Sequence, residues 1–403
     1  MNTNQTPLTR RRFLQTSAVL GAGALLLPNA SWAATPAATP PATMPRRKFG
    51  RTGVEVPVLG LGCMFDISEN QVILKQALDN GVTYWDTAAN YANGRSEIGI
   101  GAFLEKNTAA RKEIFLVTKA SRARGPEDMT RLLNQSLERL KTDHIDLYFM
   151  HGMNDIGQVD TPEIKAWAEA AKKSGKIKFF GFSTHSNMER CLTSTAKVGW
   201  IDGVMFTCNY RLLETPAMKA AIDACVAAGV GLTAMKTQGE RQGSDTAAQS
   251  ALLGALTGKG FNAGQAKLKA VMDYPQIAVA CVQMPNLNIF RQNLAAALEK
   301  TPLSVAQRAA LQRHAEATCN AYCAGCSHRC ESALAGAVPV RDVLRHMMYH
   351  EHYEELDARA LFAEFPPHMR ASLAHLDYTA AERACPRQLP IGNLMREAAA
   401  VLT

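Results

Sequence analysis

The sequence predicts a (β/α)8 barrel with a smaller helical domain after it, and three observations point there. Short β-branched and apolar runs alternate with helical patterns between residues 46 and about 300. Three of these runs finish on ionisable side chains: TYWD on Asp86, EIFLVTK on Lys119 and IDLYFMH on His151. Consecutive strand ends of one parallel barrel meet at one mouth, so these groups would converge there, together with Tyr91 in the loop beyond Asp86. A doubly wound sheet, the weaker alternative, would want a GxGxxG phosphate loop after an early strand, and LGLGCMF lacks that spacing.

At 403 residues and 47% hydrophobic content, the chain can bury one large core and a smaller addition. Of the formal charge of +8, three units are arginines in residues 1–33, a segment without acids, which leaves +5 on the remainder. That mild excess, with no interleaved basic and aromatic patch, argues against a nucleic-acid partner. Residues 1–33 read as a targeting segment. Thr9-Arg10-Arg11-Arg12-Phe13-Leu14 precedes the apolar run Ala18–Leu27, and Ser31-Trp32-Ala33 puts small residues at a cleavage position. The adjacent arginines before Phe-Leu resemble a twin-arginine signal. That resemblance implies export of an already folded protein by the twin-arginine machinery to the periplasm. Glycines and Pro28 leave the apolar run too short to span a bilayer comfortably, so no stable membrane span is expected after processing. Residues 34–45 (ATPAATPPATMP) read as a disordered tether.

From Arg46 the elements follow in order. RRKFGRTGVEVPV has turn signals at Gly50 and Gly53 and reads as a hairpin leading into a buried strand near Val58–Gly62. Helix Glu69–Asn80, strand Thr83–Asp86, helix Ser96–Glu105, strand Ile114–Lys119, helix Glu127–Leu140 and strand Ile145–His151 come next. Later strands are expected at Ile177–Phe182, Gly203–Phe206, Gly231–Met235 and Ile277–Val282. Helical patterns at Pro162–Lys173, Met188–Lys197, Thr215–Ala228 and Ala263–Asp273 separate them, and Leu287–Leu298 closes the set. The barrel is assigned to residues 46–300 and the helical domain to 301–403.

GRTGVEVPVLGLG, WDTAANY, LVTKAS, DLYFMHG and GFSTHS occur in that order, and through them the barrel resembles the aldo/keto reductases along its whole length. The positions matching that family's catalytic tetrad are Asp86, Tyr91, Lys119 and His151. The chemistry is intelligible residue by residue. A carbonyl that accepts hydride needs a proton at the developing alkoxide, and a phenol with a pKa near 10 is a poor acid at neutral pH. A lysine ammonium beside it stabilises the phenolate and lowers that pKa. An aspartate holds the lysine, and an imidazole orients the substrate oxygen. Singly, each of these residues is most simply a paired or solvated side chain; four at matching strand ends make a site.

The resemblance also implies a nicotinamide dinucleotide, NADP or NAD. Ser183 falls at the carboxamide-binding serine, with Thr184 and His185 after it in place of the usual asparagine. Met205 stands where a glutamine normally contacts the nicotinamide. Met235 falls at the ring-stacking site, and Lys236 and Gly239 follow in a loop that would meet the pyrophosphate. In VQMPNLNIFRQN, Gln283 replaces a lysine and Ile289 an arginine, while Gln292 and Asn293 keep half of an adenine clamp. Without a bidentate arginine, preference for a 2′-phosphate should be weak.

Five cysteines (Cys63, Cys191, Cys208, Cys225 and Cys281) are scattered through barrel elements as small buried residues. Beyond the barrel lie Cys319, Cys323, Cys326, Cys330 and Cys385. Cys323-x-x-Cys326-x-x-x-Cys330, with a distant Cys385-Pro386, resembles half of a ferredoxin module of the kind found at the C-terminus of one aldo/keto reductase branch. In such modules the cysteine before proline ligates the cluster of the other run. The resemblance therefore implies one 4Fe–4S cluster on Cys323, Cys326, Cys330 and Cys385. Rival readings are zinc with His314 or His328, disulfides in an oxidising compartment, and the radical-SAM spacing Cys319-x3-Cys323-x2-Cys326. His346, His350 and His352 sit at metal-face spacing on the helical stretch Val340–Tyr353. No acidic ligand is placed with them, and the stretch reads as an exposed helix.

These readings combine into an exported oxidoreductase that interconverts a small-molecule carbonyl and an alcohol, with the cluster passing or storing electrons. Two other classes stand beside it. One is an exported iron–sulfur oxidoreductase that uses a redox partner protein and no nicotinamide; the other is a non-catalytic exported binding module. Dinucleotide binding separates the first two, and a redox-active cluster separates the second from the third.

Overall fold

A computed structural model describes residues 43–239, 254, 260–353 and 358–403. The expected signal segment and most of the tether lie outside the described residues, as does most of the loop Thr237–Phe261.

The strands β1 (Arg46–Lys48) and β2 (Glu55–Pro57) pair as an antiparallel hairpin. Eight parallel strands then close a barrel: β3 (Leu59–Gly62), β4 (Tyr84–Asp86), β5 (Phe115–Ser121), β6 (Ile145–His151), β7 (Ile177–Thr184), β8 (Gly203–Thr207), β9 (Gly231–Met235) and β10 (Val279–Gln283). Each pairs with the next, and β10 returns to β3. Two strands run farther toward the mouth than the sequence suggests, because their neighbours supply pairing partners: Ser121 faces His151, and Thr184 faces Phe206. Lys119 therefore sits two residues inside its strand. Parallel strands walled by helices are covered on both faces, which is why these runs are almost continuously apolar.

The helices outside the barrel begin where their caps dictate. Thr161 and Thr215 accept hydrogen bonds from the Ile164 and Met218 amides, each followed by a proline at the first helical position, and Asn286 accepts from Ile289. The hairpin plugs the barrel floor with Phe49, which is fully buried. Its ring fits because Gly203 and Gly231 open β8 and β9; a Cβ there would come within 2.8 and 2.4 Å of it.

Helix α1 (Val305–Ala317) of the C-terminal region packs through Leu311 and Ala315 against Tyr210 and Ala266 of the barrel, so the second core begins only at Cys330. That core joins α2 (Ser327–Ala333), α3 (Val340–His352), α4 (Ala358–Ala363), α5 (Pro367–Ser372), α6 (Thr379–Ala384) and α7 (Ile391–Leu402). The expectation of an exposed helix at 340–353 is corrected. Val340, Val343, Leu344, Met347 and Met348 of α3 are buried, and of its three histidines His346 is buried while His350 and His352 are exposed. The apolar residues recur at helical spacing and form a face that must be covered. Among the described residues no helix is long and apolar enough to cross a membrane.

Replacing Phe49 by alanine should empty the floor plug and cost about 3–5 kcal/mol of stability. Urea unfolding monitored by circular dichroism reads that loss directly; a change below ~1 kcal/mol would mean the floor repacks.

Candidate active site

Strands β4, β5 and β6 end side by side and bring the four expected residues together. Lys119 Nζ lies 2.7 Å from Asp86 Oδ2, 2.8 Å from the Thr87 carbonyl and 3.4 Å from Tyr91 Oη. It is equally close, 2.7 Å, to Asp86 Oδ1. Lys119 and Asp86 are 1% and 3% exposed, so each charge depends on the other for compensation. Tyr91 enters from a loop whose next two residues, Ala92 and Asn93, are left-handed at φ 47° and 55°. The Tyr91 and His151 rings meet edge to face with centroids 5.8 Å apart. His151 Nδ1 is 2.8 Å from Ser121 Oγ, which is itself 2.7 Å from Asn90 Oδ1.

Burial, and then the charge of Asp86, push the Tyr91 phenol well above its ordinary value. The sequence reasoning expected the lysine to lower it. Lys119 is committed to Asp86 and the Thr87 carbonyl, and its 3.4 Å contact with the phenol is the longest of the three. Burial likewise raises the Asp86 carboxyl, against the pull of Lys119. His151 is driven well below the ordinary imidazole value by burial and then by Lys119, which keeps the ring neutral.

These groups open into a cavity of about 560 Å³. Met205, Met235 and Lys236 line it among the expected cofactor residues. Ser183 and Thr184 are fully buried behind the wall; the Ser183 hydroxyl accepts the Gly152 amide at 3.1 Å, and Thr184 donates to the Ser186 carbonyl. Gln292 and Asn293 lie on the helix after β10, apart from the cavity wall. Three buried polar atoms on the loops and helix after β9 and β10 lack partners: Thr237 Oγ1, Gln283 Oε1 and Asn293 Nδ2. Orphans of this kind fit a bound polar ligand such as a dinucleotide.

Sequence reasoning missed the roof. Arg345, His346 and Tyr349 of α3, with Tyr353 just beyond it, line the same cavity. Lys236, itself left-handed at φ 57°, holds its ammonium over the Tyr349 and Tyr353 rings at 4.3 and 4.5 Å. The signal was the apolar stripe of the 340–353 helix, which has to dock somewhere.

The cysteines divide as expected in position. Cys323, Cys326, Cys330 and Cys385 line one small cavity together with Arg329, Arg341 and Arg387, and Cys319 does not line it. All ten cysteines are free thiols. Burial raises Cys326 to about 11 and Cys330 to about 12, with neighbouring thiols adding to the effect. Among the described residues no group of three or more His, Cys, Asp or Glu side chains is close enough to hold a metal ion. His328 is engaged by Asn187 Oδ1 at 2.8 Å, and His314 stacks on Tyr210, so neither faces the cysteines.

The fold is a closed parallel α/β barrel with Asp86, Tyr91, Lys119 and His151 at its mouth. Residues 59–248 match the model of the aldo/keto reductase family. The chain is 34% identical over 160 residues to the NADP(+) aldo-keto reductase yakc of Schizosaccharomyces pombe, covering 35% of this chain and 46% of that protein. It is 32% identical over 212 residues to the uncharacterized oxidoreductase YrpG of Bacillus subtilis, covering 46% and 64%. The chain thus spans about half to two thirds of these relatives' lengths. In fold it is similar to the holo form of an aldo-keto reductase from Bacillus halodurans, with a TM-score of 0.57 and 22% identity, covering 67% of this chain and 96% of that one.

Burial and then the Arg345 charge hold His346 down to about 3, against an ordinary 6.5. Between those values the unfolded chain binds a proton that the folded chain refuses, so the stability contribution is full above pH 6.5 and is lost as pH falls. Between pH 7 and pH 5 the parent should lose about 2 kcal/mol more than a His346→Gln variant. Denaturant titrations at both pH values measure it; parallel losses would mean that His346 is solvated.

Proposed function

We propose that the protein interconverts a small-molecule carbonyl and an alcohol, with a nicotinamide cofactor supplying or taking the hydride. Lys119 set between the Asp86 carboxylate and the Tyr91 phenol, both of which line the cavity, carries this reading. The NADP(+) named for the Schizosaccharomyces pombe relative supports a dinucleotide here, as do the orphaned Thr237, Gln283 and Asn293 atoms.

Tyr91 is the proton donor. Burial keeps its phenol protonated, and as the proton leaves, the nearby ammonium stabilises the growing phenolate. Asp86 holds Lys119 in place beside the phenol. Neutral His151 holds the substrate oxygen if Nε2 carries its proton. Ser121 has one hydroxyl proton, so it must then donate to Nδ1 and receive from the Asn90 amide, with the Asn90 nitrogen turned toward it. Met205 and Met235 face the cavity from β8 and β9 and give an apolar bed for a flat ring.

The four cysteines are the ligands of one 4Fe–4S cluster that passes or stores electrons. Their convergence on one cavity supports this, as do the three arginines there, which would balance an anionic cluster. A cluster's ligands bind separate iron atoms and stand wider than those of one ion. The twin-arginine resemblance supports export after the cluster is loaded, to the periplasm.

Tyr91→Phe should cut carbonyl reduction by about 10²–10⁴-fold while leaving the fold intact. Steady-state rates with NADPH and NADH against an aldehyde panel measure it, and activity within about twofold of the parent would remove Tyr91 from the mechanism. For the cluster, Cys385→Ala should lose iron and absorbance, although Cys385 is far from Cys330 in sequence, and Cys319→Ala should keep both. Iron and sulfide counted per chain in anaerobic preparations decide this; the reverse pattern would make the ligand set contiguous.

A further inference from the structure

We propose that the roofed cavity binds substrates carrying an anionic group, a carboxylate in the simplest case, which Arg345 of the helical domain receives opposite Lys236 of the barrel. The proposal rests on the reading above for the reacting carbonyl and adds the chemistry of the substrate's other end.

The charges of the wall do not cancel. Among its acids, Asp86 is committed to Lys119, Glu364 pairs with Arg122, and Asp342 takes one amino group of Arg345 at 2.9 Å. Lys236 has no carboxylate partner among the described residues; its ammonium rests on two phenol rings and lies 3.4 Å from Tyr353 Oη. Phenol faces hold a cation but leave its charge unneutralised.

The donors are also unfilled. A guanidinium has five N–H groups, and the Arg345 Nε–H is shut off from solvent with no partner. His346, the next residue, is 6% exposed and lines the cavity with Nδ1 unpartnered. A buried donor without an acceptor is destabilising, and an anion seated beside Arg345 would relieve that cost. Arg345 and Tyr91 line the same cavity. One small molecule could therefore span from the proton donor to the guanidinium. The same cations could instead receive a phosphate of the dinucleotide, and the test separates the two sources.

The probes are benzoylformate and its neutral methyl ester, which differ in charge at one end. Both are titrated calorimetrically into the full-length protein, with and without NADPH. The parent should bind the anion at least about tenfold more tightly. Arg345→Gln should bring the two within about twofold, Arg345→Lys should recover part of the preference, and Lys236→Met, on the barrel side, should weaken it independently. Tyr91→Phe should keep the preference even where turnover is gone; a parent that shows the preference but no turnover overturns the proposed reaction and not the anion site. Equal affinities in the parent, no binding of either probe, or a preference that survives Arg345→Gln overturns the proposal. So does an Arg345→Gln variant that loses NADPH affinity tenfold while keeping its preference for benzoylformate, because the arginine would then serve the dinucleotide.

Discussion

A lysine ammonium placed inside a barrel has to be compensated where it stands, and the site is arranged around that requirement. Lys119 finds a carboxylate on the neighbouring strand at 2.7 Å and a backbone carbonyl at 2.8 Å. Both depend on the parallel register of β4 and β5, in which Asp86 lies opposite Val117. A slip of one residue would turn Asp86 to the opposite face and leave the ammonium uncompensated. With that pair in place, an ammonium lies 3.4 Å from the Tyr91 phenol, and burial, then the same charge, keeps His151 neutral.

The helix Val340–His352 links two regions that the sequence presents separately. Val340, Arg341 and Leu344 face the cysteine cavity, while Arg345, His346 and Tyr349 face the catalytic one. Its seat on the barrel is specific. Arg341 donates to the His185 carbonyl at 3.1 Å, and the Asn187 amide donates to the Gly325 carbonyl at 2.7 Å. Gly325 is left-handed, and a Cβ there would come within 2.8 Å of His185 O. The turn between Cys323 and Cys326 is thereby latched to the segment just after β7. Few relaxed conformations satisfy all these contacts, and the left-handed Asn187 and Lys236 at the mouth carry part of that strain.

The sequence by itself determined the barrel, its strand order and the convergence of Asp86, Tyr91, Lys119 and His151. Those features follow from local periodicity and from closure, which leaves one arrangement for consecutive parallel strands. Only the tertiary structure decided the electrostatics and the roof. The direction of the Tyr91 shift depends on how deeply the phenol is buried and on which groups already occupy Lys119, and neither is written in spacing. Arg345, His346 and Tyr349 enter the site from a helix about 200 residues beyond the last tetrad member. The apolar stripe of that helix announces that it must dock, but not against what. The stripe is buried in the helical domain's own core with Phe362, Ile391 and Met395, and that leaves Arg345, His346 and Tyr349 of the same helix over the cavity.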